Sequence, residues 1–272
     1  MKPAVRLARI ALLALFAFAL FVPSSGARPV TGSHHGDRGP VLYASAGFGS
    51  ELIKIDVGTG HVTSVGAFGV FALGLAISPR GKFFTTTDSY CPPGTGWCSS
   101  AGPQLASVDP KTGGATPFGV SGEPFMGIGF SPDGTLYGVN AESGTPDQGS
   151  LYRFDLATGK ATKVGVTGGC LDIMDLAWAP DGKMYGAAYD SLYRINPHTG
   201  KAKLVTKIYG LAAGAVMGLA IDDDGDFYVS EIVANASLFR LNPKTGALTQ
   251  IHLDTQVDYI HGLEIMPDKH HR

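Results

Sequence analysis

Residues 149–190, GSLYRFDLATGKATKVGVTGGCLDIMDLAWAPDGKMYGAAYD, set the pattern that most of this chain repeats. The segment holds four short strand-like runs separated by three turns. Ser150-Leu151-Tyr152-Arg153-Phe154-Asp155 alternates apolar and polar side chains, as a half-buried strand does. Asp155-Leu156-Ala157-Thr158-Gly159 turns the chain: the Asp carboxylate accepts from backbone N–H groups just ahead, and Gly supplies a positive φ. Residues 161–165 form the return strand. Leu176-Ala177-Trp178 is short and apolar throughout, which suits an inner strand buried on both faces. Ala179-Pro180-Asp181-Gly182 turns again, and Met184-Tyr185-Gly186-Ala187-Ala188 runs back.

The same parts recur five times. The Thr-Gly turns close at Gly60, Gly113, Gly159, Gly200 and Gly246, and Asp56, Asp109, Asp155, Asn196 and Asn242 open them. The second turn recurs at Gly81, Gly134, Gly182 and Gly225, and ends truncated at Pro267-Asp268. The strand that should follow that last turn is missing at the C-terminus. Its equivalent stands at the N-terminus, as Leu42-Tyr43-Ala44-Ser45. A four-stranded unit recurring every 41 to 53 residues predicts a β-propeller. The expected fold is all-β, with five four-stranded blades and the ring closed by the N-terminal strand completing the last blade. Closure removes the exposed sheet edges. Six blades, or an open β-solenoid, are the alternatives. The 38 glycines serve these turns rather than phosphate binding.

Before the repeats, Lys2, Arg6 and Arg9 precede an apolar run over residues 10–22, followed by Pro23-Ser24-Ser25-Gly26-Ala27. This is the order of a secretory signal peptide, residues 1–27, and points to a secreted or periplasmic protein. A membrane anchor is the alternative, but the run is shorter than the roughly 20 residues a span needs. Residues 28–40 read as a flexible lead-in, where His34 and His35 are expected to be solvated. The propeller then occupies residues 41–268 and a tail residues 269–272. Without Lys2, Arg6 and Arg9 the chain keeps 18 basic side chains against 23 acidic ones. That balance argues against nucleic acid and anionic membrane surfaces as partners. A monomer is expected.

Cys91 and Cys98 bracket the loop CPPGTGWC and are expected to form a disulfide, with metal ligation the alternative. Cys170 reads as a small buried hydrophobe. Asn235-Ala236-Ser237 matches a glycosylation sequon. Asp222-Asp223-Asp224-Gly225-Asp226 departs from calcium-loop spacing and falls where other repeats turn, so it reads as a turn.

Chain direction sorts the connections onto two faces. Loops that lead into inner strands and loops that leave second strands share one face, and this face carries the insertions at residues 88–103 and 142–149. The Pro-Asp-Gly and Thr-Gly turns share the other, with Lys111, Lys160, Lys183, Lys201 and Lys244. Uneven loops on a rigid scaffold are where binding concentrates. The repeats also supply an internal consensus. Inner strands begin Leu73-Gly74-Leu75-Ala76, Met126-Gly127-Ile128-Gly129, Met174-Asp175-Leu176-Ala177, Met217-Gly218-Leu219-Ala220 and His261-Gly262-Leu263-Glu264. Asp175, His261 and Glu264 break it, and a charge among small packing positions needs a partner, a water or a ligand. With Glu123, Asn140, Asp172 and Asp258 they make a candidate ligand-binding set at a channel mouth. A divalent cation, calcium or zinc, would draw on Asp172, Asp175, His261 and Glu264. Structural pairing with neighbouring blades is the competing reading. Copper held by Met126, Met174, Met217 and His261 is disfavoured against core packing. The sequence has no G-x-S-x-G, no H-E-x-x-H and no phosphate loop after a strand.

The Leu-Tyr-x-Ile/Phe-Asp-x-x-Thr-Gly and Gly-Leu-Ala-x-x-Pro-Asp-Gly-x-Leu-Tyr-Gly elements resemble the NHL, YncE and SMP-30 type of propeller repeats across residues 41–268. The resemblance implies architecture more than activity, since those groups include binders, lyases and lactonases and commonly have six or seven blades. SMP-30-like lactonases hold a divalent metal with Glu, Asn and Asp; Glu123, Asn140, Asp172 and Asp175 offer those types, without a residue-by-residue match. Two functions follow as expectations. The first is a secreted binding module that uses the insertion-bearing face for a protein or carbohydrate. The second is a metal-dependent hydrolase or lactonase at the acidic mouth.

Overall fold

The structure, a computed structural model, describes residues 39–87, 102–140, 148–168, 171–212, 214–231 and 233–266. The signal-peptide segment, the lead-in before Gly39 with His34 and His35, the Cys91–Cys98 loop, Cys170 and most of the two insertions lie outside those residues.

The strands form five antiparallel four-stranded sheets. Three strands open the chain: β1 (Val41–Ala46), β2 (Glu51–Asp56) and β3 (Val62–Ala67). Blade 2 follows as β4 (Ala72–Ile77), β5 (Phe83–Thr87), β6 (Gln104–Val108) and β7 (Ala115–Val120). Blade 3 is β8 (Gly127–Phe130), β9 (Leu136–Asn140), β10 (Ser150–Phe154) and β11 (Ala161–Val166). Blade 4 is β12 (Asp175–Trp178), β13 (Met184–Ala188), β14 (Ser191–Ile195) and β15 (Ala202–Lys207). Blade 5 is β16 (Val216–Ile221), β17 (Phe227–Glu231), β18 (Leu238–Leu241) and β19 (Leu248–Ile251). The final strand, β20 (Leu263–Ile265), pairs antiparallel with β1 through Leu42↔Ile265, Tyr43↔Glu264 and Ala44↔Leu263. Blade 1 therefore takes its inner strand from the C-terminus and its other three from the N-terminus, as the displaced repeat predicts. The fold is a five-bladed β-propeller.

The inner strands lie side by side in the order β4, β8, β12, β16, β20 and back to β4. Between blades sit five apolar clusters, each drawn from two neighbours. Leu75 and Phe83 meet Leu52 and Phe68 between blades 2 and 1. Leu263 and Leu42 meet Tyr228 and Leu238 between blades 1 and 5, so the closing interface is apolar like the others. Fully burying one such side chain contributes roughly 1.5–3 kcal/mol.

The Thr-Gly turns are built alike. Gly113 N–H donates to the Asp109 carbonyl at 2.8 Å, and the Asp109 carboxylate accepts from Lys111 N–H at 2.9 Å. Gly113 must be glycine twice over: its φ is +78°, and a Cβ would lie 2.3 Å from the Gly66 carbonyl oxygen of blade 1. Each such turn thus seats against the outer strand of the preceding blade. A bulge between Leu52 and Ile53 raises the local twist that brings that strand over. The Asp222–Asp226 segment is a tight turn, with Gly225 at φ +83° and the Asp222 carboxylate accepting from Asp224 and Asp226 N–H.

Candidate functional site

Along the channel axis the five inner strands come close enough to exclude side chains. At the second inner-strand position, a Cβ on Gly127 would lie 2.5 Å from the Asp175 Cα, and one on Gly262 would lie 2.4 Å from Leu75 N. Asp175 alone fills this position with a side chain. It is fully buried, and it spans the axis. Its Oδ1 accepts from Leu176 N–H at 2.9 Å, and its Oδ2 from Leu219 N–H at 2.9 Å and Leu263 N–H at 3.0 Å. One carboxylate therefore joins blades 4, 5 and 1 through backbone groups that the channel-facing strand edges would leave unpaired. Burial lifts its pKa well above the usual carboxylate range, against the pull of the three N–H donors and helped by nearby Glu264.

Glu264 repeats the device two residues along the strand, at the fourth position, where the other blades have Ala or Gly. Its carboxylate accepts from Ile265 N–H at 3.0 Å and from Ile77 N–H of blade 2 at 3.4 Å. The protein around it raises its pKa to about 8. Glu264 lines a cavity of about 540 Å³ where the inner strands end, walled by Ile77, Phe130, Trp178 and Ile221. This mouth opens on the face of the Pro-Asp-Gly turns, opposite the insertions.

The remaining candidates lie towards the insertion-bearing face, in separate places. Asn140 Nδ2 donates to Glu123 at 3.1 Å within blade 3. Asp172 is buried and accepts from Gln148 Nε2 at 2.6 Å and from the Tyr189 hydroxyl at 2.5 Å. Asp258 is exposed; it accepts from Asn235 N–H at 2.6 Å and Gln256 Nε2 at 3.3 Å, tying two loops of that face. His261 is 3% exposed, and neither ring nitrogen has a hydrogen-bond partner. Burial drops its pKa to about 4, so it is neutral at physiological pH. The structure pairs Glu123 with Asn140, sets Glu264 near enough to Asp175 to help raise its pKa, and gives Asp172 and Asp258 separate partners of their own. Among the described residues no three of His, Cys, Asp and Glu gather as a group that could hold a metal.

Sequence reasoning passed over the aromatic residues beside these groups. Among the described residues four non-glycine residues have positive φ: Phe48 at 58°, Tyr189 at 47°, Asn235 at 64° and Tyr259 at 49°. All four sit in connections of the insertion-bearing face, after β1, β13 and β17 and before β20. Bulky residues rarely adopt this conformation, whereas Asn tolerates it. The Phe48 ring meets Tyr259 edge-on at 5.3 Å and His261 at 5.8 Å, and Phe71 at a tilt at 5.6 Å. Phe48, Val70 and Phe71 line a groove of about 510 Å³ between the β1–β2 and β3–β4 loops. Tyr189 is 48% exposed. The one signal available in the sequence was Phe48 between Gly47 and Gly49, where a uniform repeat would have carried straight into the next strand.

A family model described as a repeat of unknown function (DUF6923) matches residues 125–219. No curated protein matches the chain in sequence. Among solved structures, the nidogen/laminin complex is similar at 12% identity and a TM-score of 0.54, over 84% of this chain and 98% of that one. A protein of unknown function from Bacteroides caccae is similar at 13% identity and a TM-score of 0.52, over 85% of this chain and 100% of that one. A symmetrical protein from work on de novo evolutionary emergence is similar at 18% identity and a TM-score of 0.50, over 84% and 100%. Likeness at these identities concerns the fold.

Proposed function

We propose that this chain is a secreted binding propeller that docks a protein partner on its insertion-bearing face. The observation that supports this reading is the set of three aromatic residues, Phe48, Tyr189 and Tyr259, held at positive φ on that face. Such backbone conformations cost about 1–3 kcal/mol each and persist where surrounding structure or function holds them. Aromatic side chains with a polar tip are also the commonest anchors of protein interfaces. The charged start, apolar middle and small-residue end of residues 1–27 support export. The nidogen/laminin complex is a precedent in which a protein of this fold was solved with a protein partner. A carbohydrate is the alternative ligand of the same face.

Affinity capture from the secreted fraction of the producing cell tests the reading. Three baits serve: the wild type, a Phe71→Ala/Tyr189→Ala variant of the insertion face, and a Lys111→Ala/Lys160→Ala variant of the turn face. The wild type and the turn-face variant should retain the same protein, and the insertion-face variant should lose it. Equal retention by all three baits contradicts the docking face. Binding to glycans, with no protein retained, shifts the assignment to the carbohydrate ligand. The hydrolase or lactonase reading requires calcium or zinc, and thermal unfolding with each cation and with chelator tests it. A cation present at about 100 times its Kd adds roughly 2.7 kcal/mol of stability.

A further inference from the structure

We infer that the axial cavity on the turn face binds a small organic cation, an alkylammonium group paired with the Glu264 carboxylate between apolar and aromatic walls. This site is separate from the docking face.

The cavity, at about 540 Å³, is within the size range of small-molecule sites. Its walls are the ends of all five inner strands, so the ring's geometry builds it. Ile77, Ile221 and Ile265 supply aliphatic surface, and Phe130 and Trp178 supply aromatic surface. Among the described residues no Lys, Arg or His lines it. Among the described residues Glu264 is therefore a part-buried acid without a basic counterpart, at a position where three other blades have Ala and one has Gly. A carboxylate offers about four acceptor directions. The two N–H donors at 3.0 and 3.4 Å use two of them, the second weakly. Asp222, also in the lining, is committed to its own turn: it accepts from Asp224 N–H, Asp226 N–H and the Tyr228 hydroxyl. Asp223 stands exposed at the rim and makes the approach negative.

The chemistry of the walls selects the ligand. An ammonium group satisfies the carboxylate by charge and hydrogen bonding, and its alkyl chain replaces water on the aliphatic surface. Phe130 and Trp178 add aromatic surface to the same walls. A metal ion would need several oxygen ligands converging on it, and among the described residues no three of His, Cys, Asp and Glu gather to supply them. The ammonium can come from a free amine or from a lysine side chain of another protein; both present the same group.

Binding should displace a proton. Burial raises Glu264 to about 8, and Asp175, Asp222 and Asp223 are the other acids near it. Pairing with an ammonium ionises Glu264, which releases one proton at neutral pH. Affinity should therefore rise as pH rises towards 8.

Isothermal titration of the full chain with n-butylammonium, n-butanol, sodium and Nα-acetyl-lysine amide tests the site. Titrations in two buffers of different ionisation enthalpy report the proton released. The expected result is saturable binding of butylammonium with proton release, and none of butanol or sodium. Binding should weaken at least tenfold in both Glu264→Gln and Glu264→Ala. The alanine variant restores the residue that blades 2, 4 and 5 already have, so the fold should be kept, and the glutamine variant preserves shape if it is not. Acetyl-lysine amide binding alongside butylammonium assigns the ligand to a protein lysine; butylammonium alone assigns it to a free amine. Equal response to butanol, undiminished binding in both variants, or no butylammonium binding at 10-millimolar-scale concentration overturns the inference.

Discussion

At the second inner-strand position, four blades have Gly and blade 4 has Asp175. Removing its side chain leaves Leu219 and Leu263 N–H groups without their acceptor, and an unsatisfied buried donor costs about 1–3 kcal/mol. Asp175→Ala is expected to lose roughly 3 kcal/mol in a guanidinium titration. Asp175→Asn should lose less, because its amide oxygen can keep the Leu219 and Leu263 N–H bonds and its NH2 then faces only the Leu176 N–H. A loss below about 0.5 kcal/mol for Asp175→Ala would mean the three bonds are replaceable by water. His261 makes the opposite case. Its folded pKa, about 4, is below its ordinary value of 6.5. The stability this neutral ring permits is present above pH 6.5 and is lost as pH falls towards 4. A displacement of that size corresponds to about 3 kcal/mol. His261→Leu, the residue blade 2 has as Leu73, should remove that acid sensitivity, and stability measured from pH 7 to pH 4 checks it. Glu264 titrates in the reverse sense: its raised pKa makes stability fall as pH climbs from about 4.5 to 8, and Glu264→Ala should flatten that limb.

At the scale of strands and turns, the repeat was legible because its signals are local. Alternation, Asp-x-x-Thr-Gly turns and short apolar inner runs each act within a few residues, and together they located the blades and the displaced closing strand. The Asp222–Asp226 turn was legible for the same reason: its position in the repeat outweighed its acidity. Asp175, His261 and Glu264 were visible as departures from consensus, but their partners were not. Leu219 and Leu263 are 44 and 88 residues from Asp175, and nothing local specifies a backbone N–H donor at that distance. Tyr189 and Tyr259 were invisible, and Phe48 was marked only by its flanking glycines, because a positive φ is readable in sequence at glycine and not at an aromatic residue. Close approach at the axis yields another prediction at this scale. Gly127→Ala puts a methyl group 2.5 Å from the Asp175 Cα, with no flexible side chain to yield. It should cost more than about 2 kcal/mol, by the mechanism of core overpacking. Gly182→Ala is the control for backbone strain alone, since φ is +75° and nothing lies within 4 Å of its Cβ.

Across the whole molecule, five interblade clusters of similar make-up form one ring, and β20 is the piece that closes it. Truncation after Ile260 would strip blade 1 of its inner strand. It would also expose the β1 edge and remove Leu263 from both the closing cluster and the Asp175 junction. The truncated chain should unfold at lower denaturant with reduced cooperativity and associate through the open edge. The two faces of the ring differ in regularity. The turn face repeats one tight turn at Gly81, Gly134, Gly182 and Gly225 around the cavity, whereas the insertion-bearing face concentrates the aromatics at positive φ.

A photoreactive residue placed at position 189 or at position 183 compares the two faces of one blade directly. Tyr189 follows β13 on the insertion-bearing side, and Lys183 precedes it on the turn side, beside Asp181. Irradiation in the secreted fraction should yield a covalent adduct with one protein from position 189 and none from position 183. Adducts from position 183 with none from position 189 would contradict the docking face.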